Sequence, residues 1–205
     1  MKFYLDIKVG FHMIDRVMVF MDGENLFHGC KNYEKMCNER DGTDVKYNVD
    51  HILLRDKLVG KRKLIRAYYY GSLPNDDEKR EGQIRFHHKL EFEGFKTTII
   101  PLKKRKYYFK CDRCGNEQQI EKSIEKGVDI ALVTDLITFG VNKIYDTAII
   151  VSGDFDYHKA IEEVQRNGAK VEIAYFDDGG IGADLKRHAD KFIPLNDMAD
   201  EIRRK

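Results

Sequence analysis

Residues 147–176 read TAIIVSGDFDYHKAIEEVQRNGAKVEIAYF, and this stretch decides the fold. Thr147–Ser152 is a short apolar run rich in β-branched residues, of the kind buried on both faces of a parallel sheet. The run breaks at Ser152-Gly153, and a helical pattern follows from Asp156 to Asn167. Lys170–Phe176 is again strand-like. Strand, helix and strand of these lengths make one βαβ unit, whose two strands must pair in parallel.

The same alternation extends outward in both directions. Arg16–Met21, Leu64–Gly71 and Thr97–Leu102 read as further strands. Asp50–Val59, Asp76–Glu93 and Lys122–Phe139 read as helices between them. A helix near Ile181–Ala189, a short strand at Lys191–Pro194 and a closing helix at Asp197–Arg203 complete the chain. Such an order predicts an α/β protein: a Rossmann-like three-layer α/β/α sandwich with a mostly parallel sheet. Residues 1–15 read as a short N-terminal extension, with Met13 a conceivable alternative start. Residues 16–205 read as one domain. Lys31–Asn48 and Lys103–Gln119 fit the alternation worst and read as insertions, the second forming a cysteine-bearing basic hairpin around 103–120.

The bulk properties exclude several classes. A chain of 205 residues, 35% charged and 42% hydrophobic, is long enough for a sizeable core and is not disordered in composition. Its net charge of +1 means that any attraction for nucleic acid must come from local patches. The opening MKFYLDIKVGFHMIDR is interrupted by charge and has no signal-peptide apolar region. No stretch approaches the roughly 18–20 apolar residues that span a membrane, so no membrane partner and a cytoplasmic location are expected. In that compartment the four cysteines point to thiols or metal ligands before disulfides.

The chemistry lies in acids placed where the predicted strands run out. Asp22 ends VMVFMD and is followed by Gly23, which permits a sharp turn, and by Asn25, which would steady its carboxylate or cap the next helix. Asp154 and Asp156 follow Ser152-Gly153 just before a helix. Asp129 shares a helical face with Leu132, Val133 and Leu136. An acid on such a core stripe costs several kcal/mol unless it is paired or bound to metal. Each of these residues taken alone is equally well a turn or helix-cap residue. An α/β sheet, however, gathers residues from its strands' carboxyl ends into one crevice. Acids crowded there repel unless a cation lies between them, and hard oxygen ligands suit Mg²⁺ or Mn²⁺. Lys126, one turn before Asp129, could reach a phosphate, although a solvated Lys is the commoner fate. Asp135 falls off the stripe and reads as a surface or supporting residue.

Three motifs together, DGENL, EKGVDIALVTDL and VSGDFDYHKAIEEVQRNGAKVEIAYF, resemble the NYN domain family of the LabA/DUF88 type, within the PIN-like nuclease superfamily. The resemblance runs from about Arg16 to Leu195. It implies a PIN-like fold and metal-dependent hydrolysis of RNA phosphodiesters. It also implies metal-binding acids at Asp22, Asp129 and Asp154, a fourth acid at Asp156, and support from Asn25 and Ser152. Carboxylate-held divalent ions supply an activated water and charge relief without a Ser, Cys or His nucleophile. The sequence holds no convincing triad, no P-loop, no GxGxxG fingerprint and no haloacid-type Asp-x-Asp.

Residues 103–110, KKRKYYFK, carry five positive charges and three aromatics. Lys104, Arg105 and Lys106 would neutralise phosphates while the aromatics stack on unpaired bases, which points to single-stranded RNA. A solvated hairpin with its aromatics packed beneath it is the plain alternative. Cys111 and Cys114 form a C-x-x-C resembling half of a zinc knuckle. Completing a structural Zn²⁺ site needs two more ligands, from Cys30 and Cys37, from His28, or from a second copy in a homodimer. His87 and His88 read as part of a solvated basic helix face, and Tyr68-Tyr69-Tyr70 as strand packing. The reading is therefore a Mg²⁺- or Mn²⁺-dependent ribonuclease, and its rival is a non-catalytic RNA-binding or regulatory module that keeps the fold.

Overall fold

The computed structural model describes residues 14–110, 113–124, 126–177 and 183–204. Strand β1 (Arg16–Asp22) lies at the centre of a six-stranded sheet, and its apolar run is buried along both faces. The chain then forms α1 (Gly23–Asp41), α2 (His51–Val59), β2 (Lys63–Leu73), α3 (Asp77–Phe92) and β3 (Phe95–Pro101). A separate antiparallel pair, β4 (Lys103–Lys110) and β5 (Glu117–Ile124), follows. The sheet resumes through α4 (Val128–Val141), β6 (Thr147–Val151), α5 (His158–Arg166), β7 (Lys170–Tyr175), α6 (Ala183–His188) and β8 (Lys191–Pro194). The strand order is β3-β2-β1-β6-β7-β8, and every pairing in it is parallel.

The period of two in β1 sorts its side chains into two cores. Val17, Val19 and Met21 pack with Leu26 of α1, Leu54 and Leu58 of α2 and Leu90 of α3. Met18 and Phe20 pack with Leu132 and Leu136 of α4 and with Ile161 and Val164 of α5. Helices therefore cover both faces, as the three-layer expectation requires. Each fully buried Leu or Ile contributes about 1.5–3 kcal/mol relative to an exposed one. Among the described residues no helix is long and apolar enough to cross a membrane.

This topology places the site. From β1 the chain winds one way through β2 and β3, then returns to β6 on the other side of β1 and winds outward through β7 and β8. The carboxyl ends of β1 and β6 thus flank the point where the winding reverses, which is where open α/β sheets form their binding crevice.

Several local expectations change. Lys31–Asp41 is no insertion but the second half of α1, whose end is closed by the Gly42 N–H donating to the Asn38 carbonyl at 2.9 Å. Lys122–Ile124 belong to β5, paired with Lys103–Arg105, so the helix expected from Lys122 begins only at Val128. The hairpin accordingly runs to Ile124 rather than to about 120. A short 3₁₀ turn over Leu195–Met198 replaces the closing helix, and Arg203 bridges to Val49. His87 is buried between Tyr69 and Phe86 rather than solvated, and burial lowers its pKa.

Gly127 caps the start of α4 at φ 106°, a conformation that a Cβ disfavours. Gly127→Ala should destabilise the protein by about 1–3 kcal/mol. Urea unfolding checks this, with a lower midpoint at an unchanged m value.

Candidate functional site

Asp22 is both the last residue of β1 and the N-cap of α1. Its carboxylate accepts the Asn25 backbone N–H at 3.0 Å, which satisfies an otherwise unpaired donor of the first helical turn. Gly23 serves close approach rather than a turn. A Cβ there would lie 2.8 Å from the Tyr70 carbonyl oxygen and 2.2 Å from the Tyr69 hydroxyl.

The end of β6 meets this group from the side. Gly153 N–H donates to the Asn25 side-chain oxygen at 2.8 Å, and Asp154 N–H donates to Ser152 Oγ at 3.1 Å. Ser152 Oγ in turn makes a long contact of 3.4 Å to Asp22 Oδ2. Asp154 accepts the Asp156 N–H at 2.9 Å, capping the 3₁₀ turn (Phe155–Tyr157) that leads into α5. The cap role foreseen for this pair thus falls to Asp154.

One residue that the sequence reading passed over joins the acids. The buried Tyr157 hydroxyl lies 2.7 Å from Asp22 Oδ2 and 3.1 Å from Asp129 Oδ1. A phenol has one proton and here faces two carboxylates. Either the proton is shared, or Asp22 is protonated, donates to the tyrosine oxygen, and Tyr157 donates to Asp129. The electrostatics favour extra protonation here. Burial raises the Asp22 pKa, hydrogen bonds from Asn25 and Tyr157 oppose that, and the charges of Asp129 and Asp154 raise it further. Burial, then the charge and hydrogen bond of Asp22 and those of Asp129, hold the Tyr157 pKa far above its ordinary value, so the phenol stays protonated. A signal for Tyr157 was available: it precedes Ala160, Ile161 and Val164 at i+3, i+4 and i+7. A buried aromatic with a polar tip needs a partner for that tip.

Asp22, Asn25, Asp129, Ser152 and Asp154 are therefore brought together from α1, α4 and the ends of β1 and β6. Asp129 departs from the core-stripe expectation. Leu132 and Leu136 of its face are buried, but Asp129 is exposed in the first turn of α4, where the stripe emerges at the crevice. Asp135 instead accepts the Tyr70 hydroxyl at 2.8 Å. Asp156 and Lys126 are exposed, and Lys104, Arg105 and Lys106 project from β4.

The donor set suits a hard divalent cation, because three carboxylates face one crevice and two of them penalise the charge on the third. As placed, however, no group of three acidic, His or Cys side chains among the described residues converges closely enough to hold a metal. The cysteines are likewise dispersed. Cys30 is buried in the α1 core, where burial pushes its thiol up to about 11 and disfavours a thiolate ligand. Cys37 is half-buried, Cys114 is exposed, both are free thiols, and Cys111 lies outside the described residues.

A parallel α/β sandwich with acids gathered at its switch point is consistent with a PIN-like, nuclease-type class of domain. The NYN domain model matches residues 16–196, and the chain belongs to that family. Over 189 residues it is 25% identical to the low amplitude and bright protein LabA of Synechococcus elongatus, covering 91% of this chain and 87% of that protein. Its fold is similar to the crystal structure of a protein of unknown function from Vibrio parahaemolyticus. That match has a TM-score of 0.59 at 20% identity and covers 93% of this chain and 97% of the other.

The raised Asp22 pKa has a stability consequence. The folded state holds this proton more tightly than the unfolded state, so its contribution is full below the unfolded carboxylate value and is lost as pH rises through the folded value. In metal-free protein, Asp22→Asn should flatten that decline and raise stability at neutral pH. Thermal melts of both proteins from pH 4 to 8 in EDTA check this, and equal pH slopes would remove the assignment.

Proposed function

We propose that this chain is a metal-dependent ribonuclease that hydrolyses RNA phosphodiester bonds at the crevice over β1 and β6. The observation that carries the reading is the meeting of Asp22 and Asp129 on the Tyr157 hydroxyl, with Asp154 near enough for its charge to raise the Asp22 pKa. Membership of a nuclease-like family supports it. Asp22, Asp129 and Asp154 would hold Mg²⁺ or Mn²⁺, which supplies an activated water and charge neutralisation at the phosphate. Asn25 fixes the Asp22 end of α1 against the Gly153 backbone. Ser152 orients the turn that carries Asp154. Tyr157 keeps the Asp22 and Asp129 carboxylates in register, and Asp156 lies within the same turn at the rim. Lys126, exposed two residues before α4, is placed to meet a phosphate oxygen. Zinc on Cys111 and Cys114 belongs to the same proposal as a structural element of the hairpin.

A second reading draws on the open spacing of the acids: a non-catalytic RNA-binding module that keeps the fold. One assay separates the two. Labelled RNA is incubated with Mn²⁺, Mg²⁺ or EDTA, with Asp154→Asn beside wild type. Cleavage that requires metal and falls at least about 100-fold in Asp154→Asn, with RNA binding retained, is expected. RNA bound but uncut by metal-loaded wild type selects the binding module, and cleavage at wild-type rate in the mutant removes the site assignment.

A further inference from the structure

The β4–β5 hairpin is a ribbon whose residues are exposed along most of both strands. Its register sets Lys103 opposite Ile124, Arg105 opposite Lys122 and Tyr107 opposite Ile120. Directly opposed residues of an antiparallel pair share a face. The pleat therefore divides the basic run KKRKYYFK into two unlike faces.

One face carries Lys104, Lys106, Tyr108 and Lys110 against Glu117 and Glu121. Lys104 pairs with Glu121 at 3.1 Å, Lys110 pairs with Glu117 at 3.8 Å, and Lys106 stands opposite Glu121. Two of its three lysines are thus paired within the ribbon, which leaves this face with one net positive charge against three on the other. The other face carries Lys103, Arg105 and Lys122 beside Tyr107, Phe109 and Ile120, and no acid falls on it. Arg105 and Lys122 are directly opposed, and like charges in that position destabilise a strand pair. An external anion would relieve that repulsion.

The aromatic groups on this second face form a ladder. The Arg105 guanidinium lies 5.5 Å from the Tyr107 ring centroid, and the Tyr107 and Phe109 rings stack at 6.5 Å with 24° between their planes. That spacing exceeds the rise of about 3.4 Å per nucleotide along one strand of a duplex. It suits bases splayed apart on an unpaired chain. The ladder also stands near the acids along the backbone. β5 ends at Ile124, and α4, with Asp129 in its first turn, begins at Val128. Asn75 ties the hairpin root to the loop after β2 by donating to Ser123 Oγ at 3.1 Å.

We propose that the Arg105–Tyr107–Phe109 face with Lys122, and not the basic hairpin as a whole, is the docking surface for single-stranded RNA. Arg105 and Lys122 take phosphates, while Tyr107 and Phe109 stack on bases. The inference rests on the nucleic-acid reading of this domain but not on catalysis. It divides Lys104-Arg105-Lys106, a run of like residues in sequence, between a contact face and one whose cations are mostly paired with its own acids.

The test is fluorescence anisotropy of labelled oligouridine RNA with the full chain in EDTA, over a range of salt concentrations. Tyr107→Ala combined with Phe109→Ala should weaken binding about tenfold or more. Arg105→Gln with Lys122→Gln should lower the log–log salt slope by about 1.4, at about 0.7 per phosphate contact. Lys104→Gln with Lys106→Gln, and Tyr108→Ala, should leave both quantities near wild type. Thermal melts report folding, and the Arg105/Lys122 pair keeps the aromatics in place should the aromatic variant unfold the hairpin. Equal losses from both faces, or none from the ladder, overturn the proposal. So does tighter binding of DNA of matching sequence. RNA held on the ladder but never cut with Mn²⁺ would remove the nuclease reading and leave this one standing. Cleavage with both faces counting alike would do the reverse.

Discussion

A buried carboxylate at the end of the central strand governs the rest of the site. Asp22 is only 3% exposed, and an isolated ionised acid in that position would cost several kcal/mol. Its partners come from three directions: the Asn25 N–H from α1, Ser152 from the end of β6, and the Tyr157 hydroxyl from the turn into α5. Satisfying this one group fixes how those three elements approach one another. Asn25 extends the constraint, because its backbone N–H serves Asp22 while its side-chain oxygen accepts the Gly153 N–H. The mouth of the crevice is thereby braced across the switch point.

The two apolar cores let the sheet carry this polar mouth. Val17, Val19 and Met21 on one face, with Met18 and Phe20 on the other, anchor β1 far more strongly than its last residue destabilises it. At the carboxyl end of β1 three acids approach one another, and a single phenol proton serves two of them. A perturbed, buried acid at the centre of such a cluster marks functional sites more often than structural accidents.

Legibility in the sequence followed how local each cause was. β1, β6 and β7 were readable because parallel strands buried on both faces leave continuous apolar runs, whereas the half-buried edge strand Lys191–Pro194 was readable from its place in the alternation. Lys122–Ile124 were misread because their charged neighbours suit a helix. Their strand state comes from pairing with Lys103–Arg105, almost twenty positions away, and no short window contains that partner. The second half of α1 was hidden by its polarity, since most of its surface faces solvent and the apolar period fades. Asp129 was placed on the correct helix face but at the wrong depth, because the periodicity gives direction around a helix and not where the sheet below it ends. Tyr157 was missed for the strongest reason: its partners, Asp22 and Asp129, are set by the fold and not by neighbouring residues.

The division of charge between crevice and hairpin bears on how a polyanion would approach. The chain is almost neutral, at +1, yet its cations stand clear of its acids here. Asp22, Asp129 and Asp154 repel phosphate until positive charge enters the crevice, so the crevice alone does not recruit RNA. On the proposed reading, Arg105 and Lys122, which face no acid across the hairpin, would supply that attraction on a separate surface, rooted within a few residues of Asp129. On that reading capture and chemistry would be handled by different charges, and binding through the hairpin would not require the acids to be neutralised first. Such a division accommodates the catalytic reading and the binding-module reading equally well at the hairpin. The two differ only at the crevice, in whether Asp22, Asp129 and Asp154 take up a divalent cation.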